Sequence, residues 1–223
     1  MDTQPAQAMH TAGHQGARTV NADAVASCQG VIALADGIGD TTEAAQAALA
    51  AVTAAVSTPA IAGVSAALIA ARDAVHAGDT VLVVAQPFAG GYRIGWVGDV
   101  RAYAWDGAAL RQLTKDHTLA QYFRDHGSPV TARMEHVVTT SVRTATPDRF
   151  GSTETAATGL LLTSDGVHKT LSLERMTDIL RYASNPAEAL IQAAVTEGSR
   201  DNATAVVLTP TASPATLPIP AAA

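Results

Sequence analysis

Four aspartates lie next to short apolar runs that are typical of β-strands. Three of them follow such a run and the fourth precedes one; they are Asp36, Asp99, Asp165 and Asp201. Carboxylates at strand ends can meet at one rim of a folded sheet, where they repel each other unless hard cations bind between them. The pattern therefore predicts a site for divalent metal ions.

Composition indicates one globular domain with no nucleic-acid or membrane partner. The chain has 223 residues, of which 48% are hydrophobic and 15% are charged, enough for one sizeable core. Its net charge of -6 offers no basic patch for nucleic acid, and no apolar run reaches the length of a membrane span. The single cysteine, Cys28, excludes an internal disulfide, which fits a cytoplasmic protein. We expect a monomer.

The ends of the chain differ in composition from the middle. Residues 1–16 are polar and lack the features of a signal peptide, so they are predicted to form a flexible leader. Residues 210–223 are rich in Pro and Ala and are predicted to be a disordered tail. Residues 17–209 contain no long linker and are predicted to form one catalytic domain.

The middle of the chain predicts antiparallel sheets covered by helices, an α+β fold. Strands are predicted at 24–28, 31–35, 80–86, 92–97, 101–105, 110–113, 137–142, 159–163 and 203–208. Helices are predicted at 44–56, 60–77, 118–126, 173–182 and 186–196, with Asp40 as N-cap of the first. Residues 80–113 are predicted to form one antiparallel meander.

Five stretches in order carry a resemblance to a known family. They are RTVNAD at 18–23, ADGIG at 35–39, VGDVRAY at 97–103 with LTKDHT at 113–118, LTSDGV at 162–167, and GSRDNAT at 198–204. Together they resemble the metal-dependent protein serine/threonine phosphatases of the type 2C (PPM) family, in its compact bacterial form. The resemblance covers residues 16–208.

The resemblance implies a fold, an activity and a cofactor. The fold would be a central β-sandwich of two antiparallel sheets flanked by helices on both faces. The activity would be hydrolysis of phosphoserine and phosphothreonine in proteins by a metal-activated water. Two Mn²⁺ or Mg²⁺ ions would be bound, and the partners would be phosphorylated proteins from a serine/threonine kinase pathway.

The resemblance also assigns metal ligands. Asp36 would bridge two core metals, Asp165 and Asp201 would complete the first, and the carbonyl of Gly37 would bind the second. Asp99 matches a ligand of a third, weaker metal. These oxygen donors suit Mg²⁺ and Mn²⁺.

Four further residues match the family's motifs without matching a metal ligand. Arg18 corresponds to the phosphate-binding arginine, whose planar fork holds two phosphate oxygens. Asn21, Asp23 and Asn202 are expected to orient waters or neighbouring strands around the ligands.

Two departures from the family's pattern leave alternatives open. Ala22 stands where the motif has a glutamate that supports the second metal, and Lys169 stands where many members have an aspartate. A cation at that position would disfavour a third metal beside Asp99. One alternative is therefore a weak or inactive member that binds phosphoproteins as a regulatory module. Another alternative is an aspartyl-phosphate phosphatase of a different fold. That class needs an Asp-x-Asp pair, which is missing here because Asp36 is followed by Gly37 and Ile38.

Overall fold

The computed structural model describes residues 7–210, which form two five-stranded antiparallel sheets. The strands are β1 (Gln7–His14), β2 (Asp23–Cys28), β3 (Val31–Gly37), β4 (Thr80–Phe88), β5 (Gly91–Val97), β6 (Arg101–Trp105), β7 (Leu110–Gln112), β8 (Gly151–Thr155), β9 (Gly159–Thr163) and β10 (Ala203–Pro210). The first sheet has the order β1-β10-β9-β6-β7 and the second the order β2-β3-β4-β5-β8.

Six α-helices accompany the sheets. They are α1 (Thr42–Ser57), α2 (Val64–Ala74), α3 (Leu119–Asp125), α4 (Asp165–His168), α5 (Leu173–Tyr182) and α6 (Pro186–Thr196). Short 3₁₀ helices lie at Ala60–Ala62, Ala132–His136 and Pro147–Arg149. Within residues 7–210, no helix is long and apolar enough to cross a membrane.

Three apolar layers hold the fold together. The middle layer lies between the sheets and contains Leu34, Ile94 and Leu162. The second lies between the β2–β8 sheet and helices α1 and α2, and the third lies between the β1–β7 sheet and helices α5 and α6. A strand with both faces buried consists of a continuous run of apolar residues. Residues 160–162 of β9, all leucine, are such a run. The predicted sandwich flanked by helices is confirmed.

The first helix packs closely because its buried face is mostly alanine. Its buried residues are Ala44, Ala47, Ala48, Ala51, Val52, Ala55 and Val56, spaced three and four apart as on one helix face. Its N-cap is Thr41, whose side chain accepts a hydrogen bond from the Ala44 N–H. The prediction of Asp40 as N-cap is therefore wrong, and the second predicted helix, 60–77, is shorter than expected.

The predicted leader is wrong for part of its length. Gln7–His14 forms β1, which pairs along its whole length with β10 as an edge strand of the first sheet. Ala12 packs against the layer under α5 and α6. Residues 1–6 and 211–223, including nearly all of the predicted tail, lie outside the described residues.

The predicted meander over 80–113 is also wrong in its topology. Strand β4 pairs with β5 in one sheet, but β6 pairs with β7 and β9 in the other. The chain changes sheets at residues 98–100. The predicted strand 137–142 is not formed; only an isolated bridge joins Val138 to Thr118. Both errors arise because strand pairing depends on partners distant in sequence, which a local pattern does not contain.

We expect Leu161→Ala to lower the free energy of unfolding by about 2–5 kcal/mol, because it leaves a cavity in a close-packed layer. Leu161 is fully buried between β9 and the helices α5 and α6. Urea denaturation followed by circular dichroism measures the change. The matched control is Leu49→Ala on the exposed face of α1, with an expected change within about 0.5 kcal/mol. Equal effects of the two substitutions would contradict this packing.

Candidate active site

The four strand-end aspartates converge at one end of the sandwich. Asp36, Asp99, Asp165 and Asp201 all line a single cavity of about 180 Å³. Asp36 lies near the end of β3, Asp99 between β5 and β6, Asp165 at the start of α4, and Asp201 just before β10. The convergence predicted from the sequence is therefore present, and both sheets contribute to it.

A fifth carboxylate lies behind the cavity. Asp23 on β2 is directly opposite Asp36 on β3 in the antiparallel register. Like charges in this arrangement destabilise a sheet. Asp23 Oδ2 accepts a hydrogen bond from Ser164 Oγ at 2.7 Å, while its buried Oδ1 has no partner among the residues described.

Burial and mutual repulsion disfavour the ionised carboxylates. Burial, followed by the charges of Asp23 and Asp165, raises the pKa of Asp36 well above its usual range. Burial also raises the pKa of Asp23 to about 6, against the hydrogen bonds it accepts from Thr204 and Ser164. A divalent cation bound beside these carboxylates would oppose both shifts.

The loop that carries Asp99 is held by close backbone packing. Gly98 has a φ of +95°, and a Cβ there would meet Val81 Cγ1 at 2.0 Å. The Gly98 N–H donates to His117 Nδ1, and the Gly98 carbonyl accepts from the His117 N–H at 2.9 Å. Only glycine fits this position, and the tight turn that Gly98 allows places the next residue, Asp99, in the cavity.

Lys169 places an ammonium group between two of the carboxylates. Its Nζ lies 2.6 Å from Asp99 Oδ2 and 2.9 Å from Asp165 Oδ2. The three side chains are mostly buried, with exposed fractions of 15%, 6% and 17%. Lys169 therefore occupies the space between Asp99 and Asp165. That this cation disfavours a third metal stays a prediction.

Arg18 also lines the cavity. Its Nη2 donates to Asp201 Oδ2 at 2.6 Å. The loop that carries it is fixed by Asp40, whose carboxylate accepts hydrogen bonds from the N–H groups of Thr19 and Val20. Sequence reasoning missed this role of Asp40, because nothing in the local pattern distinguishes it from a helix cap.

The three residues expected to orient their surroundings differ in their contacts. Asn202 accepts from the Ala22 N–H and donates to the carbonyls of Gln15 and Val20, so it joins the start of β10 to the Arg18 loop. Asp23 contacts Ser164, as described above. Asn21 is exposed and accepts only from the Asp23 N–H, and it does not line the cavity.

Gly37 lines the cavity and lies in a closely packed part of the fold. A Cβ on Gly37 would meet the Ala44 carbonyl oxygen at 2.5 Å, which brings β3 and α1 into direct backbone contact. Thr80 Oγ1 donates to the Asp36 carbonyl at 2.7 Å. Ala22, which stands at the family's glutamate position, is 1% exposed. Thr80 is another residue that sequence reasoning missed.

The chemistry of the donors suits hard cations, although their present spacing is not that of a ligand cage. Five carboxylates face two protein cations, Arg18 and Lys169, and such an excess of carboxylate oxygen matches Mg²⁺ or Mn²⁺. Across residues 7–210, no three His, Cys, Asp or Glu side chains are grouped closely enough to hold a metal ion. An incoming cation must therefore compete with Arg18 for Asp201 and with Lys169 for Asp165.

Comparison with solved structures identifies the fold. The catalytic domain of the serine/threonine protein phosphatase PstP, in complex with two manganese ions, is 25% identical, with a TM-score of 0.73 over 91% of this chain and 97% of that chain. PstP/Ppp from Mycobacterium tuberculosis is 24% identical, with a TM-score of 0.78 and the same coverages. The PPM Ser-Thr phosphatase MsPP from Mycobacterium smegmatis, in complex with cacodylate, is 24% identical, with a TM-score of 0.75 over 92% and 98%.

The chain has the PPM phosphatase fold. The resemblance seen in the five motifs thus agrees with the three-dimensional architecture over nearly the whole chain. No protein-family model matches the sequence, and no curated protein does.

We expect Asp36→Asn to raise the free energy of unfolding at pH 8 by about 1–2 kcal/mol when a chelator removes divalent ions. Because the pKa of Asp36 is raised in the folded state, the protonated side chain favours folding. Its contribution to the free energy of unfolding is complete below the unfolded pKa of about 3.9 and is lost as pH rises towards the folded value. The gain should therefore shrink between pH 8 and pH 5. Urea denaturation at both pH values measures it.

Asp106→Asn is the control for this experiment. Asp106 is an exposed turn residue whose pKa is lowered by the N–H groups of Ala109 and Ala108. Its substitution should give no gain at pH 8. Equal or lower stability of Asp36→Asn at pH 8 would show that the carboxylate cluster is not under electrostatic strain.

Proposed function

We propose that this protein is a metal-dependent phosphatase that hydrolyses phosphoserine and phosphothreonine in proteins. The observation that supports it most is the cavity in which Asp36, Asp99, Asp165 and Asp201 face Arg18, within a fold shared with serine/threonine phosphatases. In this reaction water adds to phosphorus and the bond from phosphorus to the seryl or threonyl oxygen breaks.

Carboxylates and a backbone carbonyl are the proposed metal-binding groups. Asp36, Asp165 and Asp201, with the carbonyl of Gly37, would hold two Mn²⁺ or Mg²⁺ ions, and Asp99 is held by Lys169 instead. Bound divalent ions would neutralise phosphoryl oxygens and lower the pKa of a water. PstP, at 25% identity, binds two manganese ions, which supports this choice of cofactor.

Arg18 is the proposed phosphate-binding residue. A guanidinium carries five N–H donors in a planar fork. Within residues 7–210, the one carboxylate that pairs with Arg18 is that of Asp201. Because the side chain is 39% exposed and lines the cavity, its other donors can reach the oxygens of an incoming phosphoryl group. Holding the phosphate in one orientation lowers the entropic part of the barrier.

The rim of the cavity is accessible to a protein substrate. Ile38 is 45% exposed and His136 is also exposed, and both line the opening. An exposed apolar side chain beside a charged cleft suits a peptide segment better than a small metabolite. The substrates would come from serine/threonine kinases; the cytoplasmic location and the monomeric state remain predictions.

We expect purified protein to hydrolyse p-nitrophenyl phosphate and a phosphothreonine peptide only with Mn²⁺ or Mg²⁺. Asp165→Asn should lower kcat/KM at least about 100-fold, because it removes a carboxylate that holds the metal. Steady-state release of p-nitrophenol and of phosphate measures the effect.

Asp106→Asn is the matched control, since Asp106 also precedes a glycine but lies in an exposed turn away from the cavity. It should retain the full rate. Absence of turnover at saturating Mn²⁺ would contradict the enzymatic function and favour a phosphoprotein-binding regulatory module with the same fold.

We also expect Lys169→Gln to bind Mn²⁺ roughly tenfold more tightly, about 1.4 kcal/mol, because the ammonium no longer competes for Asp99 and Asp165. Isothermal titration calorimetry measures the affinity and the number of ions without relying on turnover. The control is Lys115→Gln, since Lys115 pairs with the exposed Asp125. Weaker Mn²⁺ binding in Lys169→Gln would show that Lys169 supports the metal site.

A further inference from the structure

A second cavity adjoins the proposed active site. Its volume is about 260 Å³, and it lies between the start of α4, the turn at 198–201 and the 3₁₀ helix Ala132–His136. It shares four lining residues with the first cavity: His136, Asp165, Lys169 and Asp201. The two cavities therefore lie side by side.

The second cavity contains an arginine that has no carboxylate partner. Arg200 is exposed, lines the cavity, and makes no ion pair with any residue in the described part of the chain. Its neighbour Asp201 pairs instead with Arg18. The turn that presents it is fixed by hydrogen bonds from Gly198 N–H to the Val195 carbonyl and from Ser199 N–H to the Ala194 carbonyl.

Each of the two acidic residues of this cavity pairs with a protein cation. Asp165 pairs with Lys169 and Asp201 pairs with Arg18. Arg200, the exposed imidazole of His136 and the hydroxyl of Thr170 are the remaining polar groups that a ligand would meet there. An unpaired guanidinium with neighbouring hydrogen-bonding groups suits a carboxylate or phosphate oxygen pair.

We propose that the second cavity is a subsite for an acidic side chain of the phosphopeptide substrate, and that Arg200 binds it. This inference rests on the proposed function and specifies its substrate class. Because an extended peptide advances about 3.3 Å per residue, the acidic residue would lie within about three positions of the phosphorylated residue. The protein would thus prefer phosphorylation sites flanked by Asp or Glu.

The test compares phosphothreonine peptides that carry one Glu at each position from three before to three after the phosphothreonine, with an all-Ala parent. At one or more positions, the wild-type protein should show a kcat/KM roughly tenfold higher than for the parent, as expected for a charge-assisted hydrogen bond. Arg200→Gln should lose the preference and Arg200→Lys should keep part of it. Hydrolysis of p-nitrophenyl phosphate should be unchanged in both.

Arg133→Gln is the matched control, because Arg133 is an exposed arginine on the same 3₁₀ helix as His136 but lines neither cavity. It should keep the wild-type preference. A preference that persists in Arg200→Gln, or that is equally lost in Arg133→Gln, would overturn the proposal. So would a wild-type protein that hydrolyses p-nitrophenyl phosphate but ignores Glu at every position.

Two further measurements identify the anion that binds and separate binding from turnover. A second phosphothreonine in place of Glu tests the nature of the anion, and a preference for it without any preference for Glu would contradict an acidic side chain. Fluorescence anisotropy of labelled peptides measures binding without turnover. Tighter binding of the Glu peptide to wild type than to Arg200→Gln would support the subsite even if no hydrolysis were seen. The absence of hydrolysis would then contradict the proposed function but not the subsite.

Discussion

Electrostatic repulsion among the carboxylates at one end of the sandwich is the constraint on which the site depends. Asp23 and Asp36 lie opposite each other on the adjacent strands β2 and β3, and Asp165 and Asp201 lie beside them. Repulsion of this kind lowers the stability of the fold. Such a cluster is therefore typical of a functional site, where the carboxylates serve a purpose other than stability. The two protein cations, Lys169 and Arg18, offset part of it.

The rest of the fold makes this strain tolerable. Three close-packed apolar layers, on both sides of each sheet, supply a rigid support. Gly37 and Gly98 allow backbone contacts that any side chain would prevent, so the segments carrying Asp36 and Asp99 are fixed in position. The site is therefore built on strand ends of both sheets, where packing leaves little freedom for the ligands to separate.

Local sequence patterns predicted the elements far better than their pairing. The helices Leu173–Tyr182 and Pro186–Thr196 were predicted with their observed bounds, because their caps and apolar spacing are local properties. The assignment of β4–β7 to one meander was wrong, because the turn at Gly98 moves the chain between sheets. The strand Gln7–His14 was missed because its partners, β10 and α6, come from the other end of the chain.

The sequence by itself determined the family resemblance, the α+β sandwich and the aspartates that line the cavity, since short motifs in order carry this information. Only the tertiary structure decided which groups meet in space: Lys169 between Asp99 and Asp165, and Asp40 on the Arg18 loop. It also left Arg200 beside the cavity without a carboxylate partner in residues 7–210. The contacts of Lys169 with Asp99 and of Asp40 with the Arg18 loop join residues far apart in the chain. Their distances follow from the packing of the two sheets, which no local pattern specifies.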